Sequence, residues 1–257
     1  MQDTEPIAGV SDLIRSLPPY RPRRIEPDEV RATLMELLGI DALPDAPAAT
    51  WDDPVIEDDV RVTRGRFRNA LDEVAPIAVC RPSPAHGAPP PAGRPAILCL
   101  PGSRGDAEVL IHHRLHRKDP ERGPLYGWAR ELARRGCVTL SLSARGCGPR
   151  YDRQRWIREA NCMRPRGRSQ MGYVVLEALQ ALALLADLDG VDTARVGVTG
   201  FSAGGQSTWY AAALAPEIAA AGRRGGGRGA PGGGVWGGGA GRPPPRPLIA
   251  GGGPAKS

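Results

Sequence analysis

Residues 196–205, with the sequence VGVTGFSAGG, place Ser202 between Gly200 and Gly204, directly after a short apolar run. The run is typical of a buried strand, and the small residues that follow are typical of a helix packed closely against it. A serine at such a sharp turn between a strand and a helix is a candidate nucleophile, because only small neighbours fit around it. The pattern predicts an α/β fold with a reactive serine at the carboxyl end of a strand.

Strands and helices alternate upstream of this turn. Apolar runs at 96–100, 137–142 and 195–199 predict strands buried on both faces, and helical spacing at 124–135 and 173–188 predicts the helices between them. This order predicts a parallel sheet flanked by helices. We expect the sheet to be incomplete at the C-terminus, with the strand at 195–199 left open to solvent.

The composition divides the chain into three regions. Residues 1–95 are predicted to form an N-terminal helical cap and edge strands, residues 96–221 the α/β core, and residues 222–257 a disordered tail rich in Gly, Pro and Arg. Such a tail cannot bury enough apolar surface to offset the entropy lost on ordering its backbone.

The first region contains one helix and two strands. The helix is expected to begin at Pro27 and to end at Gly39. Strands are predicted at 60–67 and 74–80, and Pro76 places the second of them at a sheet edge, because proline cannot donate to a strand ladder. The predicted buried face of the helix consists of Val30, Leu34, Leu37 and Leu38.

Charge and cysteine content limit the possible classes of protein. The chain has 34 basic and 28 acidic residues, and residues 222–257 contain six basic residues and no acidic one. Residues 1–221 are therefore formally neutral and offer no basic nucleic-acid face. The five cysteines are odd in number and show no C-x-x-C spacing, which favours reduced buried thiols. No apolar stretch is typical of a signal peptide or a membrane span, so we expect a cytoplasmic protein without a membrane partner.

Residues 191–205 resemble the nucleophile elbow of the dienelactone hydrolase and acetyl xylan esterase-like branch of the α/β-hydrolase superfamily. Residues 100–105 (LPGSRG) stand where that family has its His-Gly-x-x-Gly loop, and residues 143–148 (SARGCG) resemble its Asp-x-Arg-Gly-x-Gly loop. Residues 166–186 resemble the helix before the elbow strand. The resemblance covers roughly residues 26–221. It implies an α/β-hydrolase core and hydrolysis of a carboxylic ester, either an acetyl ester or a lactone, without a cofactor or a metal.

The resemblance also implies roles for individual residues. Ser202 would be the nucleophile that forms an acyl-enzyme. The backbone N–H groups of Ala203 and Ser103 would form the oxyanion hole. Two positions depart from the family pattern: Pro101 replaces the usual histidine of the first loop, and Ser143 replaces an acid often found in the second.

The general base and the acid of the expected triad are missing from this chain. In the family both follow the serine, but all four histidines here precede Ser202, and Glu217 is the only acidic residue after it. A shifted reading frame in GC-rich coding DNA after about Ala221 would explain both the missing residues and the unusual tail. The alternative is a truncated, catalytically inactive hydrolase-like protein.

His112, His113 and His116 follow the first core strand and could lie at the same edge of the sheet as Ser202. Three interpretations remain open for them: a solvated cluster, contact with substrate, or a metal site or replacement base. No third metal ligand is evident beside the spacing of His112 and His116. We therefore retain these histidines as candidate substrate-binding residues.

The tail suggests a different class of function. Arg224-Gly225-Gly226 and Arg228-Gly229 resemble Arg-Gly-Gly segments that bind RNA. The arginines are sparse, and Trp236 is the tail's only aromatic residue, so the sequence does not favour nucleic acid as a partner. A small ester remains the expected partner, and the sequence does not indicate an oligomeric state.

Overall fold

The computed structural model describes residues 26–57, 59–83, 87–112, 127–224 and 235–236. In these ranges the chain forms one nine-stranded sheet with helices on both faces. The strands are β1 (Ala49–Trp51), β2 (Val55–Glu57), β3 (Val60–Arg68), β4 (Val74–Pro82), β5 (Arg94–Leu100), β6 (Val138–Leu142), β7 (Val191–Phe201), β8 (Ala220–Arg224) and β9 (Val235–Trp236). The helices are α1 (Pro27–Leu38), α2 (Ala107–Ile111), α3 (Trp128–Arg134), α4 (Arg153–Met163), α5 (Gln170–Ala186) and α6 (Ala203–Leu214), with 3-10 turns at Gly148–Arg150 and Arg164–Arg166.

The strand order is β1-β3-β4-β6-β5-β7-β8-β9, and β2 also pairs with β3. The strands β6, β5, β7 and β8 run parallel, whereas β3, β4 and β6 pair antiparallel. The carboxyl ends of the parallel strands therefore meet at one edge, where the loops after β5, β6 and β7 lie side by side.

Helices cover both faces of the parallel strands. On one face α5 and α6 enclose the main apolar core with residues such as Val175, Leu185 and Leu214. On the other face α2 and α3 pack against the sheet, where Leu110 and Ala129 form a buried cluster with Cys99 of β5. Burial on both faces explains why these strands read as continuous apolar runs in the sequence, and it confirms the predicted α/β class.

Helix α1 begins and ends as predicted. Pro27 occupies the first turn, and Gly39 ends the helix in the left-handed conformation with φ 70°. Leu38 is buried, and Leu34 packs against the core. Leu37 contradicts the predicted face, because 71% of it is exposed. The buried stripe is narrower than the sequence pattern indicated.

Strand β4 is an internal strand, and the prediction that Pro76 marks an edge was wrong. The strand pairs with β3 on one side and with β6 on the other. Its ladder with β6 begins only at Ile77. Pro76 lies just outside this ladder, and its carbonyl oxygen accepts the N–H of Ser143 at 2.9 Å. Pro76 has no N–H to donate back to Ser143, whose carbonyl oxygen accepts from Arg150 instead, so the ladder with β6 stops at this pair.

The sequence predicted that β7 would lie at an open edge of the sheet, and this prediction was wrong. It pairs with β5 and also with β8, which runs beside it from Ala220 to Arg224. The ordered region thus extends past the predicted boundary after Ala221, because the backbone of Gly222 bonds to β7 without needing an apolar side chain. The short strand β9 pairs with β8, and the rest of the tail lies outside the described residues.

None of the described helices is by itself long and apolar enough to cross a membrane; only Arg153–Arg166 and Gln170–Ala186 taken together, bent by 95°, pass the same test of length and composition.

Candidate active site

Ser202 lies at the turn between β7 and α6 in an unusual backbone conformation. Its φ is 52° and its ψ is −110°, outside the regions that residues with a side chain normally occupy. Its C=O accepts the N–H of Gln206 at 3.1 Å, so it is the cap of α6, and its side chain is exposed. Such strain persists only where the surroundings impose it, and it is characteristic of functional sites.

The two glycines around Ser202 are required by close backbone contacts. A Cβ on Gly200 would overlap the backbone of Gly204, and a Cβ on Gly204 would overlap the carbonyl oxygens of Leu100 and Pro101. The start of α6 can therefore pass directly over the end of β5 only with glycine at these positions. This packing holds the turn in its strained form.

The two backbone N–H groups expected to form an oxyanion hole lie in adjacent segments. Ala203 is the first residue of α6, so its N–H has no acceptor within the helix. Ser103 is exposed in the turn after β5, and Gly102 in the same turn packs against the ring of Phe201. None of the described residues accepts a hydrogen bond from the N–H of Ser103 or Ala203. Both donors remain available for a ligand.

No general base accompanies the serine in the described part of the chain. The Oγ of Ser202 forms no hydrogen bond there, either to its own helix or to a histidine or carboxylate. The geometry therefore provides a turn that exposes a hydroxyl and two free donors beside it. It does not provide the proton acceptor that activates such a hydroxyl.

His112 lies in a charged cluster that does not include Ser202. Its Nδ1 is 3.0 Å from Nη2 of Arg130, and its Nε2 is 3.2 Å from Oε2 of Glu108 and 3.5 Å from Oε2 of Glu57. Both ring nitrogens thus face charged partners, and the structure does not bring this histidine to the serine. His113 and His116 lie outside the described residues, so their predicted contact with substrate stays a prediction.

The same cluster contains a two-bond contact between an arginine and a carboxylate. Arg64 Nε and Nη2 donate to the two carboxylate oxygens of Glu108 at 2.8 and 2.9 Å. The guanidinium of Arg64 holds the pKa of Glu108 below its usual value. The contact ties α2, which follows the Ser103 turn, to the strand β3.

Thiol nucleophiles are disfavoured at the described buried cysteines. Burial raises the pKa of Cys80 to about 12 and that of Cys147 to about 11, and it raises the pKa of Cys99 well above its usual value. Such thiols stay protonated at neutral pH. Cys99 and Cys137, which lie in the predicted strands, are free and buried as expected, whereas Cys162 is exposed. The described residues also hold no group of three or more His, Cys, Asp or Glu side chains that could bind a metal ion.

A second feature of the site, the buried carboxylate of Glu177, was missed by the sequence analysis. Its Oε1 accepts a hydrogen bond from Asn69 Nδ2 at 2.8 Å, and its Oε2 accepts the N–H of Arg145 at 2.7 Å. Arg150 adds an ion pair at 2.8 Å. The available signal was a single acid on the apolar stripe of α5, where a charge is stable only when paired.

A polar cavity of about 480 Å³ opens in front of this network. Glu73, Arg145, Arg150 and Glu159 line it, together with Trp156, whose ring lies 5.3 Å from the guanidinium of Arg145. The carboxylates and guanidinium groups are paired with one another. The cavity lies beside the loop after β6, at the same edge of the sheet as Ser202.

Solved structures similar to this one include several esterases. A protein assigned as an acetyl xylan esterase from Bacteroides fragilis matches 82% of this chain and 58% of its own, with a TM-score of 0.63 and 22% identity. The acetyl xylan esterase of Paenibacillus sp. R4 matches 84% of this chain and 62% of its own, with a TM-score of 0.53 and 17% identity. The chain has the α/β-hydrolase fold.

These identities establish the fold alone, and the chain spans about 60% of the length of those two structures. No protein-family model matches the sequence, and no curated protein is significantly similar to it.

Proposed function

We propose that this chain is the serine-bearing part of a carboxylic ester hydrolase that acts on an acetyl ester or a lactone. The observation that carries the proposal is the strained conformation of Ser202, with φ 52° between a strand and a helix. A residue with a side chain adopts that conformation at a cost, and a nucleophile elbow is a known reason for it. The acetyl ester is suggested by the names of the similar structures, which are acetyl xylan esterases.

In the proposed reaction, Ser202 Oγ attacks the ester carbonyl carbon and the alcohol leaves, so that an acyl-enzyme forms and water later hydrolyses it. The N–H groups of Ala203 and Ser103 stabilise the negative charge that develops on the carbonyl oxygen. Neither N–H has a protein acceptor among the described residues, which supports this role.

In this proposal the histidine and the acid of the triad are absent from the chain, as its sequence indicates. Removing the histidine from such a triad costs about a million-fold in kcat. The chain should therefore hydrolyse esters slowly, through attack by the Ser202 hydroxyl with water as the proton acceptor and with the oxyanion donors stabilising the developing charge.

Hydrolysis of a chromogenic acetate ester tests the proposal. We expect slow turnover that is abolished in Ser202→Ala. Ser103→Ala is the matched control, because it removes a hydroxyl near the site but keeps the backbone N–H, and its rate should equal that of the unchanged protein. Equal rates for Ser202→Ala and the unchanged protein would contradict catalysis by Ser202.

The absence of a partner for Ser202 Oγ in the described part of the chain favours one alternative, a catalytically inactive hydrolase-like protein whose basic tail makes weak contacts, including contacts with RNA. In that case no turnover would depend on Ser202. Deletion of the tail after Arg224 would abolish RNA binding, and that binding would weaken steeply with added salt.

A further inference from the structure

Ser143, the first residue after β6, is bonded to three different segments. Its N–H donates to the carbonyl oxygen of Pro76 at 2.9 Å, and its carbonyl oxygen accepts from Arg150 Nη1 at 2.6 Å. Its Oγ accepts the N–H of Ala107, at the start of α2, at 2.9 Å. The side chain is 6% exposed, so water does not compete freely for this bond. Ser143 thus joins its own loop to the segment that carries Ser103.

Gly148 makes a second connection between the same two loops. Its N–H donates to the carbonyl oxygen of Ser103 at 3.0 Å, which fixes the peptide plane that follows Ser103. Its φ is 49°, and a Cβ on it would lie 2.6 Å from the carbonyl oxygen of Gly105. The backbones therefore meet without room for a side chain.

The loop that contains Ser143 and Gly148 is bonded to the buried carboxylate of Glu177. Arg150 bridges the carbonyl oxygen of Ser143 and the carboxylate of Glu177, and the backbone N–H of Arg145 donates to the other carboxylate oxygen. A loop held by a fully buried carboxylate is a rigid support. The segment 103–107 is consequently fixed at both ends by a loop that itself cannot move easily.

We propose that the loop 143–150 positions the oxyanion hole, with Ser143 and Gly148 as positioning residues that orient the N–H of Ser103. The proposal rests on the proposed function, because it assigns a catalytic use to that N–H. Neither residue touches the substrate. Loss of either connection would let the donor rotate or shift, and a misplacement of about 1 Å can cost about a hundredfold in rate.

The test is the rate at which a fluorophosphonate modifies Ser202, measured by peptide mass spectrometry on the full chain. In this reaction Ser202 Oγ bonds to phosphorus, fluoride leaves, the proton passes to water, and the phosphoryl oxygen occupies the oxyanion hole. The variants are Ser143→Ala and Gly148→Ala. Ser141→Ala is the control for the first, because its buried Oγ has no hydrogen-bond partner among the described residues. Gly167→Ala is the control for the second, because Gly167 has φ 65° and no atom within 4 Å of an added Cβ.

We expect Ser143→Ala and Gly148→Ala to slow labelling of Ser202 by about tenfold to a hundredfold. Ser141→Ala and Gly167→Ala should label as the unchanged protein does, and Ser143→Thr, which keeps the hydroxyl, should restore the rate. Thermal unfolding of Gly148→Ala and Gly167→Ala gives the temperatures at which both variants remain folded. Slower labelling of Ser202 in Gly148→Ala at those temperatures reflects positioning and not loss of stability. Normal labelling of Ser202 in all variants would overturn the positioning role alone, whereas an unreactive Ser202 in the unchanged protein would overturn the proposed function as well.

Discussion

At the scale of single residues, the conformation of Ser202 is maintained by the absence of side chains around it. Gly200 and Gly204 let the backbone of α6 pass over the end of β5, and the ring of Phe201 packs against Gly102. Each contact leaves no space for a Cβ. The strain of about 1–3 kcal/mol at a residue with such backbone angles must be offset by this packing.

Adding a single methyl group at the elbow should therefore be costly. Gly204→Ala places a Cβ against the carbonyl oxygens of Leu100 and Pro101, and we expect it to lower the free energy of unfolding by about 1–3 kcal/mol through overpacking. Urea unfolding measures the change. Gln206→Ala, at an exposed position of the same helix, is the control and should have little effect. A fully stable Gly204→Ala would show that the turn is looser than described.

The buried carboxylate of Glu177 should be among the residues most sensitive to substitution. Glu177→Gln removes one of the two carboxylates that pair with Arg150, the other being Glu73, and we expect a loss of about 1–3 kcal/mol in the free energy of unfolding. The exposed ion pair of Arg68 and Asp72 gives the control, since Asp72→Asn should change stability little. A similarly small effect for Glu177→Gln would mean that the network around it contributes no stability.

The sequence indicated the strand-to-helix turn at Ser202 but not the connections that Ser143 and Glu177 make between distant segments. The elbow is encoded locally, because its strand, serine and glycines are consecutive. The partners of Glu177 are distant, since Asn69 and Arg145 lie 108 and 32 residues away in the chain. Pairing over such separations depends on the tertiary fold, and one sequence does not specify it.

At the scale of elements, the long helix with a clear apolar period was predicted, and a helix without buried side chains was missed. Helix α5 has ten buried residues and was expected, whereas α4 has none and was not. Polar contacts hold α4 in place: Asp152 caps it by accepting the N–H of Arg155, and Glu159 pairs with Arg145. Periodicity of apolar residues cannot detect such a helix.

The ionic contact between α2 and β3 should make local stability depend on pH. Arg64 lowers the pKa of Glu108 from 4.5 in the folded state, so the ionised carboxylate stabilises the fold above that value, and the stabilisation is lost as the pH falls through the lowered pKa. Glu57, Arg130 and His112 also face this pair.

We expect Glu108→Gln to cost about 1 kcal/mol or less at neutral pH, because the pair is partly exposed and screened by water. The difference from the unchanged protein should shrink as the pH falls below 4.5. Unfolding free energies measured across this range provide the check, with exposed Glu36→Gln as the control. A difference that grows on acidification would contradict the assigned ion pair.

At the scale of the whole molecule, the described sheet continues past β7 into β8 and β9, two strands that the sequence pattern did not predict. Strand β8 pairs with β7 although it contains Gly222 and follows no long apolar run. Backbone hydrogen bonds to an existing strand need little help from side chains, so the pattern in the sequence was too weak to predict it. The tail beyond it keeps the composition that suggested a shifted reading frame.

The reading-frame interpretation makes a prediction about the gene. Read in another frame, the nucleotides that follow the codons near Ala221 should encode further apolar strands, with an aspartate after one strand and a histidine after the last, in the order Ser, acid, His. Sequencing of the locus provides the measurement. If neither alternative frame encodes strands and a histidine, the interpretation should be abandoned, and the inactive alternative becomes the better one.

The reactivity of Ser202 in the folded chain tests the central claim most directly. A fluorophosphonate should modify the folded protein slowly and at Ser202, because the hydroxyl is exposed beside two free N–H donors but lacks a base. Unfolding in urea should abolish the preference, and peptide mass spectrometry locates the modified residue. Rapid stoichiometric modification would contradict the missing base, and modification spread over other serines without preference for Ser202 would contradict the nucleophile elbow itself.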